Sequence, residues 1–300
     1  MRRFIFAALS VGVAMRGIEG QQVPARELLE FPITVMAEAP ALARLVAGGL
    51  WNPAAIGAAP GGLGLASAAA LNTPIAQGVA AQHVGVSFPL RRGRLLGTVS
   101  FTHASVSDLV RTGPDPSEES LGGDIPYATA VYSAGLAWRR ATTLVGAALR
   151  YRRGHADAEH RSALAADVGV LAERAFGTPL RIGVSTFLLN GSGADREPFT
   201  LLAAAELPLR ADSITATAVG YSYQRTQRLG EEHYVYGSAR WRRLDARAGM
   251  AEYHGLASRT RRLRLGLGLQ YARYLVGLAR EESGAGLGAS YQFTLTAMFK

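Results

Sequence analysis

Short runs of strict two-residue alternation recur along the chain. In the last of them, 286–299, Leu287, Ala289, Tyr291, Phe293, Leu295, Ala297 and Phe299 share one parity, and Gly286, Gly288, Ser290, Gln292, Thr294, Thr296 and Met298 share the other. Successive side chains of a strand point to opposite faces, so the segment has one apolar face and one small or polar face. In 79–90, Val84, Val86, Phe88 and Leu90 oppose His83, Gly85 and Ser87; in 143–153, Val145, Ala147, Leu149 and Tyr151 oppose Gly146, Ala148, Arg150 and Arg152. In 262–271 a row of leucines, Leu263 to Leu269, ends at Tyr271 and opposes Arg262, Arg264, Gly266, Gly268 and Gln270. Such strands suit a soluble sandwich with the apolar face buried, or a membrane barrel with the apolar face in lipid.

The pattern predicts strands over 62–71, 79–90, 95–107, 126–138, 143–153, 163–173, 180–190, 199–208, 214–225, 233–242, 245–254, 262–271, 274–282 and 286–299. Their length of ~9–13 residues is that of a tilted membrane-spanning strand, and an even number suits a single-chain bacterial barrel. Alternate connections are tight and rich in arginine: Arg91–Arg94, Arg139–Thr142, Arg174–Pro179, Leu209–Ser213, Arg242–Asp245 and Ala272–Arg273. Those between them are longer and more acidic: Ser107–Ile125, Gly154–Ser162, Gly191–Pro198, Thr226–Glu232 and His254–Arg261. Short turns at one end and longer loops at the other are the habit of an outer-membrane barrel, whereas a sandwich has no reason to sort its loops by parity. The expected fold is therefore all-β, a closed transmembrane antiparallel barrel of about fourteen strands over 62–300, with both termini in the periplasm. Tyr127, Trp138, Tyr151, Tyr234, Trp241 and Phe299, near strand ends, fit interfacial girdles. The polar parity carries Arg150, Arg152, Arg181, Arg240 and Arg264 with Asp167 and Glu206. On a lipid face an arginine near the midplane costs ~2–4 kcal/mol, so these are expected to face the lumen and pair with the carboxylates.

The start, MRRFIFAALSVGVAM, sets two arginines before an apolar run too short to cross a bilayer, the layout of a secretory signal peptide over 1–20. Cysteine is absent, which excludes disulfides and thiolate metal ligands. The formal net charge of +9 raises a nucleic-acid reading, but the arginines recur in turns along the whole chain instead of clustering, so no nucleic-acid partner is expected.

Candidate chemistry is sparse. The six histidines, His83, His103, His155, His160, His233 and His254, form no metal-ligand motif, and no metal or cofactor is expected. His103 with Ser105 resembles a nucleophile and base on a barrel wall, but a third, orienting group is missing, which makes a lipid-acting hydrolase a minor alternative to a non-enzyme. The acidic stretch Asp115–Asp124 lacks the ligand spacing of a calcium loop.

Ahead of the first strand stands GGLWNPAAIGAAPGGLGLASAAALN, Gly48–Asn72, followed by the hairpin text FPLRRGRLLGTVSFTH, Phe88–His103. Both resemble the FadL-like outer-membrane transport proteins and the related PorV/PorQ group, in which an Asn-Pro-Ala segment folds back as a hatch in a fourteen-stranded barrel. The resemblance implies that 21–61 forms the hatch, with Asn52, Pro53 and Ala54 as its motif and Asn52 bridging inward groups such as Arg150, Arg264 or Glu206. It also implies a protein of the outer membrane, in contact with its lipid, that passes or holds hydrophobic small molecules or serves secretion-system proteins of the type IX kind. The short stretch before Asn52 and the modest loops depart from the fatty-acid transporters and tilt the reading toward a PorV/PorQ-like protein or another member outside the transporter branch. A non-specific diffusion porin is the third reading.

Overall fold

The computed structural model describes residues 23–29, 37–44, 49–58, 66–75, 78–91, 94–107, 109, 125–190, 197–255, 259–282 and 289–299. The expected signal peptide and the stretch 110–124 lie outside them. The described residues form fourteen strands: β1 (Ala66–Ile75), β2 (Val79–Arg91), β3 (Leu95–Val106), β4 (Tyr127–Arg140), β5 (Thr143–Ala156), β6 (Glu159–Ala172), β7 (Arg181–Phe187), β8 (Thr200–Ala211), β9 (Thr215–Thr226), β10 (Gly230–Trp241), β11 (Leu244–Gly255), β12 (Arg259–Tyr271), β13 (Tyr274–Glu282) and β14 (Ala289–Phe299). Each pairs antiparallel with its neighbours in the chain, and β1 pairs with β14 from Ala66↔Phe299 to Asn72↔Phe293, which closes the sheet into a barrel. Closure leaves no open edge, the requirement for a sheet surrounded by hydrocarbon.

Every predicted segment overlaps a strand, but the boundaries shift for physical reasons. The stretch 154–162, expected as a loop, is mostly strand: β5 and β6 stay paired to Ala156↔Glu159 and turn on Asp157 and Ala158 alone, with Asp157 at φ 52°. Strands of this length exceed the apolar band of ~25 Å even when tilted by ~45°. Their ends project past lipid, where polar outward residues such as Arg153 and His160 no longer oppose a strand. The turn between β9 and β10 is likewise shorter than expected, since pairing continues to Gly230↔Thr226. Loop length therefore sorts by end less cleanly than the sequence suggested. β7 stops at Phe187, short of 190, because Leu188 takes φ 59° and both residues are buried, so the chain turns in from the wall. Pro89 and Pro208, which have no N–H to give a ladder, sit where the registers of β2–β3 and β8–β9 slip.

The outer surface is the apolar one. Along β14, Tyr291, Phe293, Leu295 and Phe299 are exposed while Gln292, Thr296 and Met298 are buried inside; along β12, Leu265, Leu267 and Leu269 are exposed and Arg264 is buried. Two rings of exposed aromatics bound this surface. Trp138, Trp241, Tyr271, Tyr274 and Phe299 lie at the end with the two-residue arginine turns, hereafter the turn end, and Tyr132, Tyr151, Tyr221 and Tyr291 lie toward the other, the loop end. Two aromatics expected in these girdles are not there. Tyr234 is buried and donates a hydrogen bond to the Ala37 carbonyl (3.2 Å), and Tyr127 reaches inward to Glu27. Both fall on the parity that faces the lumen, which strand position alone did not distinguish.

Leu267 stands mid-band on the outer face, paired with Ala246 and Leu278. Replacing it with arginine in protein folded into phospholipid vesicles is expected to lower unfolding stability by ~2–4 kcal/mol in urea titrations followed by tryptophan fluorescence. An unchanged midpoint would show that this face does not meet hydrocarbon.

Candidate functional site: the hatch in the lumen

The described residues that precede β1, 23–29, 37–44 and 49–58, lie in the lumen. Residues 23–29 lie toward the loop end, where a side chain at Gly154 of β5 would meet Val23 and Pro24. Residues 37–44 cross to the opposite wall, with Ala37 against Gly266 and Ala41 against Gly183. Residues 49–58 return toward the turn end, where Pro53 and Ala54 press on Gly146, and Arg139 donates to the Gly57 carbonyl (3.0 Å). At each of these glycines a Cβ would overlap the hatch; the inward glycines are the seats on which it rests. Leu28, Leu29, Leu42, Leu50, Trp51 and Ala54 pack with wall residues that include Val131, Leu171, Phe187 and Tyr234 in one apolar core.

Among the described residues of the hatch, the regular elements given by range are short 3-10 turns, Glu27–Leu29, Pro40–Leu42 and Pro53–Gly57, and carbonyls outside them, such as those of Val23, Leu50 and Trp51, find partners on the wall. The wall supplies donors. Arg150 gives one guanidinium nitrogen to Leu50 O (2.6 Å) and another to Ser133 Oγ (2.8 Å) while its Nε pairs with Asp167. Arg152 donates to Val23 O (2.6 Å) and Pro24 O (2.8 Å) and pairs with Glu197. Arg181 pairs with Glu206 and donates to Leu42 O (3.3 Å), and Tyr236 donates to the second oxygen of Glu206 (3.0 Å). Ser185 donates to Trp51 O (2.8 Å). On the far wall Arg247 pairs with the hatch residue Glu38 (2.8 Å).

Arg264 is also buried but its partners belong to the wall: it clamps Glu232 through two bonds of 2.8 and 2.7 Å, pairs with Glu281, and lies over the Tyr234 ring at 5.0 Å. Arg240 lies on the inner parity but near the turn-end mouth, where it is exposed. Of the seven charged residues singled out in the sequence, Arg150, Arg152 and Arg181 touch the hatch, and Arg150 and Arg181 are each held by a carboxylate on the neighbouring strand, Asp167 and Glu206. Glu38, Glu197, Glu232, Arg247 and Glu281 went unrecognised; Arg247 alternates with the outward Ala246 and Ala248, which made its inner parity legible, whereas Glu232 and Glu281 stand between polar outward residues that hide theirs.

Asn52 is fully buried, but it does not bridge Arg150, Arg264 or Glu206. Its Nδ2 donates to the carbonyls of Ala41 (2.7 Å) and Val170 (3.4 Å), and its Oδ1 accepts from the N–H of Ala54 (3.0 Å), capping the turn that Pro53 opens. An N-cap at extended φ followed by proline is the ordinary start of such a turn. Asn52 thus joins two passes of the hatch to β6. His103 and Ser105, the residues considered for hydrolysis, are on outward parity of β3, where the His103 ring lies 6.4 Å from Phe101.

No family model and no curated protein matches the chain. Among solved structures it is similar to the CymD monoaromatic hydrocarbon channel, with a TM-score of 0.61 and 11% identity over 93% of this chain and 97% of that one. It is also similar to the TodX deltaS2S3 mutant monoaromatic hydrocarbon channel, with a TM-score of 0.51 and 10% identity over 84% and 92%. At this identity the likeness is one of fold: the chain has the architecture of the outer-membrane β-barrel channels.

Asn52→Ala removes the donor for two buried carbonyls, at ~1–3 kcal/mol, and Gly146→Val sets a side chain into the Pro53 backbone. Both variants are expected to fold as heat-modifiable barrels and to raise conductance in planar bilayers. Gly237→Ala, at a glycine with open space around it, is expected to conduct as the parent does. Parental conductance in all three would detach the hatch from any role in sealing the lumen.

Proposed function

We propose that the protein is an outer-membrane channel that passes small hydrophobic molecules, with the hatch closing the lumen to water-soluble solutes. The observation that carries this reading is the seam between β6 and β7. Fourteen register pairs join β5 to β6, but only Gly169–Ala172 pair with β7, at Ser185–Ile182. Above them Val168 N–H bonds to Thr186 Oγ1 (3.1 Å), Ala166 N–H to Leu189 O (2.7 Å) and Leu189 N–H to Asp167 Oδ1 (3.2 Å), so isolated bonds, two of them to side chains, stand in for a ladder. An interrupted ladder is the weakest part of a barrel wall in hydrocarbon. On the lipid side the seam opens into an apolar groove lined by Trp138, Val145, Val168, Val170 and Val184. On the lumen side stand Phe187 and Trp51, with ring centres 4.8 Å apart. An apolar solute meets apolar side chains on the lipid side of this gap and, on the lumen side, the Phe187 and Trp51 rings beside the already paired Arg150 and Asp167, whereas a sugar or ion would lose its water there.

A diffusion porin needs a continuous aqueous lumen, and here the hatch packs against the wall with buried ion pairs. The similar CymD and TodX structures are monoaromatic hydrocarbon channels, which makes toluene the probe to use. In cells lacking other hydrocarbon channels, expression of this chain is expected to speed uptake of radiolabelled toluene several-fold without speeding arabinose entry into proteoliposomes. Faster arabinose entry with unchanged toluene uptake would favour a plain porin instead.

A further inference from the structure

Outside the lumen, at the loop end of β9, β10 and β11, the strand register gathers residues that no sequence spacing connects. Glu231 pairs across to His254, and His233 pairs to Glu252 on one side and Tyr223 on the other. All of them have the parity of the exposed Val235 and Met250, so they point away from the lumen. Glu231 Oε1 lies 3.7 Å from His233 Nε2 and 3.8 Å from His254 Nδ1, and one ligand atom from each of the three residues falls within 4.8 Å of the others.

We propose that Glu231, His233 and His254 form a binding site for a borderline divalent metal of the zinc class. Two imidazole nitrogens and one carboxylate oxygen are a donor set that zinc accepts, with a fourth position left to water. Bonds of ~2.0–2.1 Å place tetrahedral ligand atoms ~3.3 Å apart, so the observed separations close with small side-chain rotations.

The surrounding groups fix each ligand atom in the required state. Tyr221 Oη lies 2.7 Å from His233 Nδ1; a proton on Nδ1 shared with that oxygen leaves the Nε2 lone pair directed at Glu231. Tyr223 donates to Glu231 Oε2 (2.9 Å), which frees Oε1. His254 Nε2 is buried and makes no hydrogen bond among the described residues, but it faces Glu252 Oε1 at 3.6 Å, so a proton there leaves Nδ1 free. Glu252 itself is engaged by Arg259, which gives it the part of an orienting carboxylate and not of a ligand. Imidazole ligands oriented in this way, by a hydroxyl or carboxylate on the second nitrogen, are the usual outer shell of a metal site. The three side chains are each between a third and two-fifths exposed, so an ion reaches them from solvent.

The test uses the full-length protein folded in detergent and checked for heat-modifiability. Equilibrium dialysis against micromolar Zn(II) with metal analysis is expected to give one ion per chain, and Co(II) is expected to show the visible absorption of a four- or five-coordinate site. His233→Ala and His254→Ala should each weaken binding at least tenfold. Tyr221→Phe, which keeps every ligand, should weaken it by roughly 10-fold through loss of orientation. A second imidazole pair, His155 and His160 with ring centres 3.8 Å apart, is the internal control: the double variant His155→Ala/His160→Ala should bind as the parent does. The proposal is overturned if the parent binds no ion. It is equally overturned if binding survives His233→Ala/His254→Ala or disappears with the His155/His160 variant.

Discussion

The structure depends on one requirement, the satisfaction of carbonyl oxygens on an irregular segment held at the depth of a membrane. A barrel wall meets its own hydrogen-bonding needs through its ladder, but the irregular stretches of the hatch have no ladder, and an unpaired buried carbonyl costs free energy comparable to a lost hydrogen bond. Water within an open pore would serve. Here the wall does it instead, with Arg150, Arg152, Arg181, Arg139, Ser185 and Tyr234 each aimed at a hatch carbonyl. Arginine suits this task because its planar fork serves a carboxylate and a carbonyl at once and keeps its charge when buried.

The buried charges follow from that choice. A guanidinium inside a barrel needs a counter-charge, and the carboxylates come from adjacent strands, Asp167 beside Arg150 and Glu206 beside Arg181, so the pairs are set by register before the hatch arrives. Removing one partner of such a pair strands the other, at ~3–5 kcal/mol, whereas the pairs themselves add little net stability over apolar packing. Their value lies in position: they hold donors where the hatch will need them. The glycines complete the fit from the other direction, removing side chains at Gly146, Gly154, Gly169, Gly183 and Gly266 where the hatch backbone comes closest.

Much of this was legible in the sequence because a barrel is periodic. Alternation gave each strand and assigned Arg150, Asp167, Arg181, Glu206 and Arg264 to the inner parity, and the text around Asn52 marked a segment distinct from the wall. What was hidden depends on three-dimensional register or on departures from period two. Tyr234 and Tyr127 look like girdle aromatics until their parity is set against their neighbours. Asn52 meets backbone carbonyls, which no residue type announces. The inward turn at Phe187 and Leu188 depends on a single residue at positive φ, and the grouping of Glu231, His233 and His254 exists only across the β10–β11 register.

The claim that the N-terminal segment occupies the lumen is tested most directly by a covalent link between it and the wall. The chain has no cysteine, so an introduced pair reports without interference. A Cβ on Gly266 would overlap the Cβ of Ala37, and a disulfide needs ~3.8 Å between them, a separation that a small shift of the hatch provides. With Ala37→Cys and Gly266→Cys together, mild oxidation of outer membranes should produce an intramolecular disulfide in nearly all of the heat-modifiable barrel, seen as a reduction-sensitive gel shift. Two free thiols that both react with a bulky maleimide in the folded barrel would contradict the account.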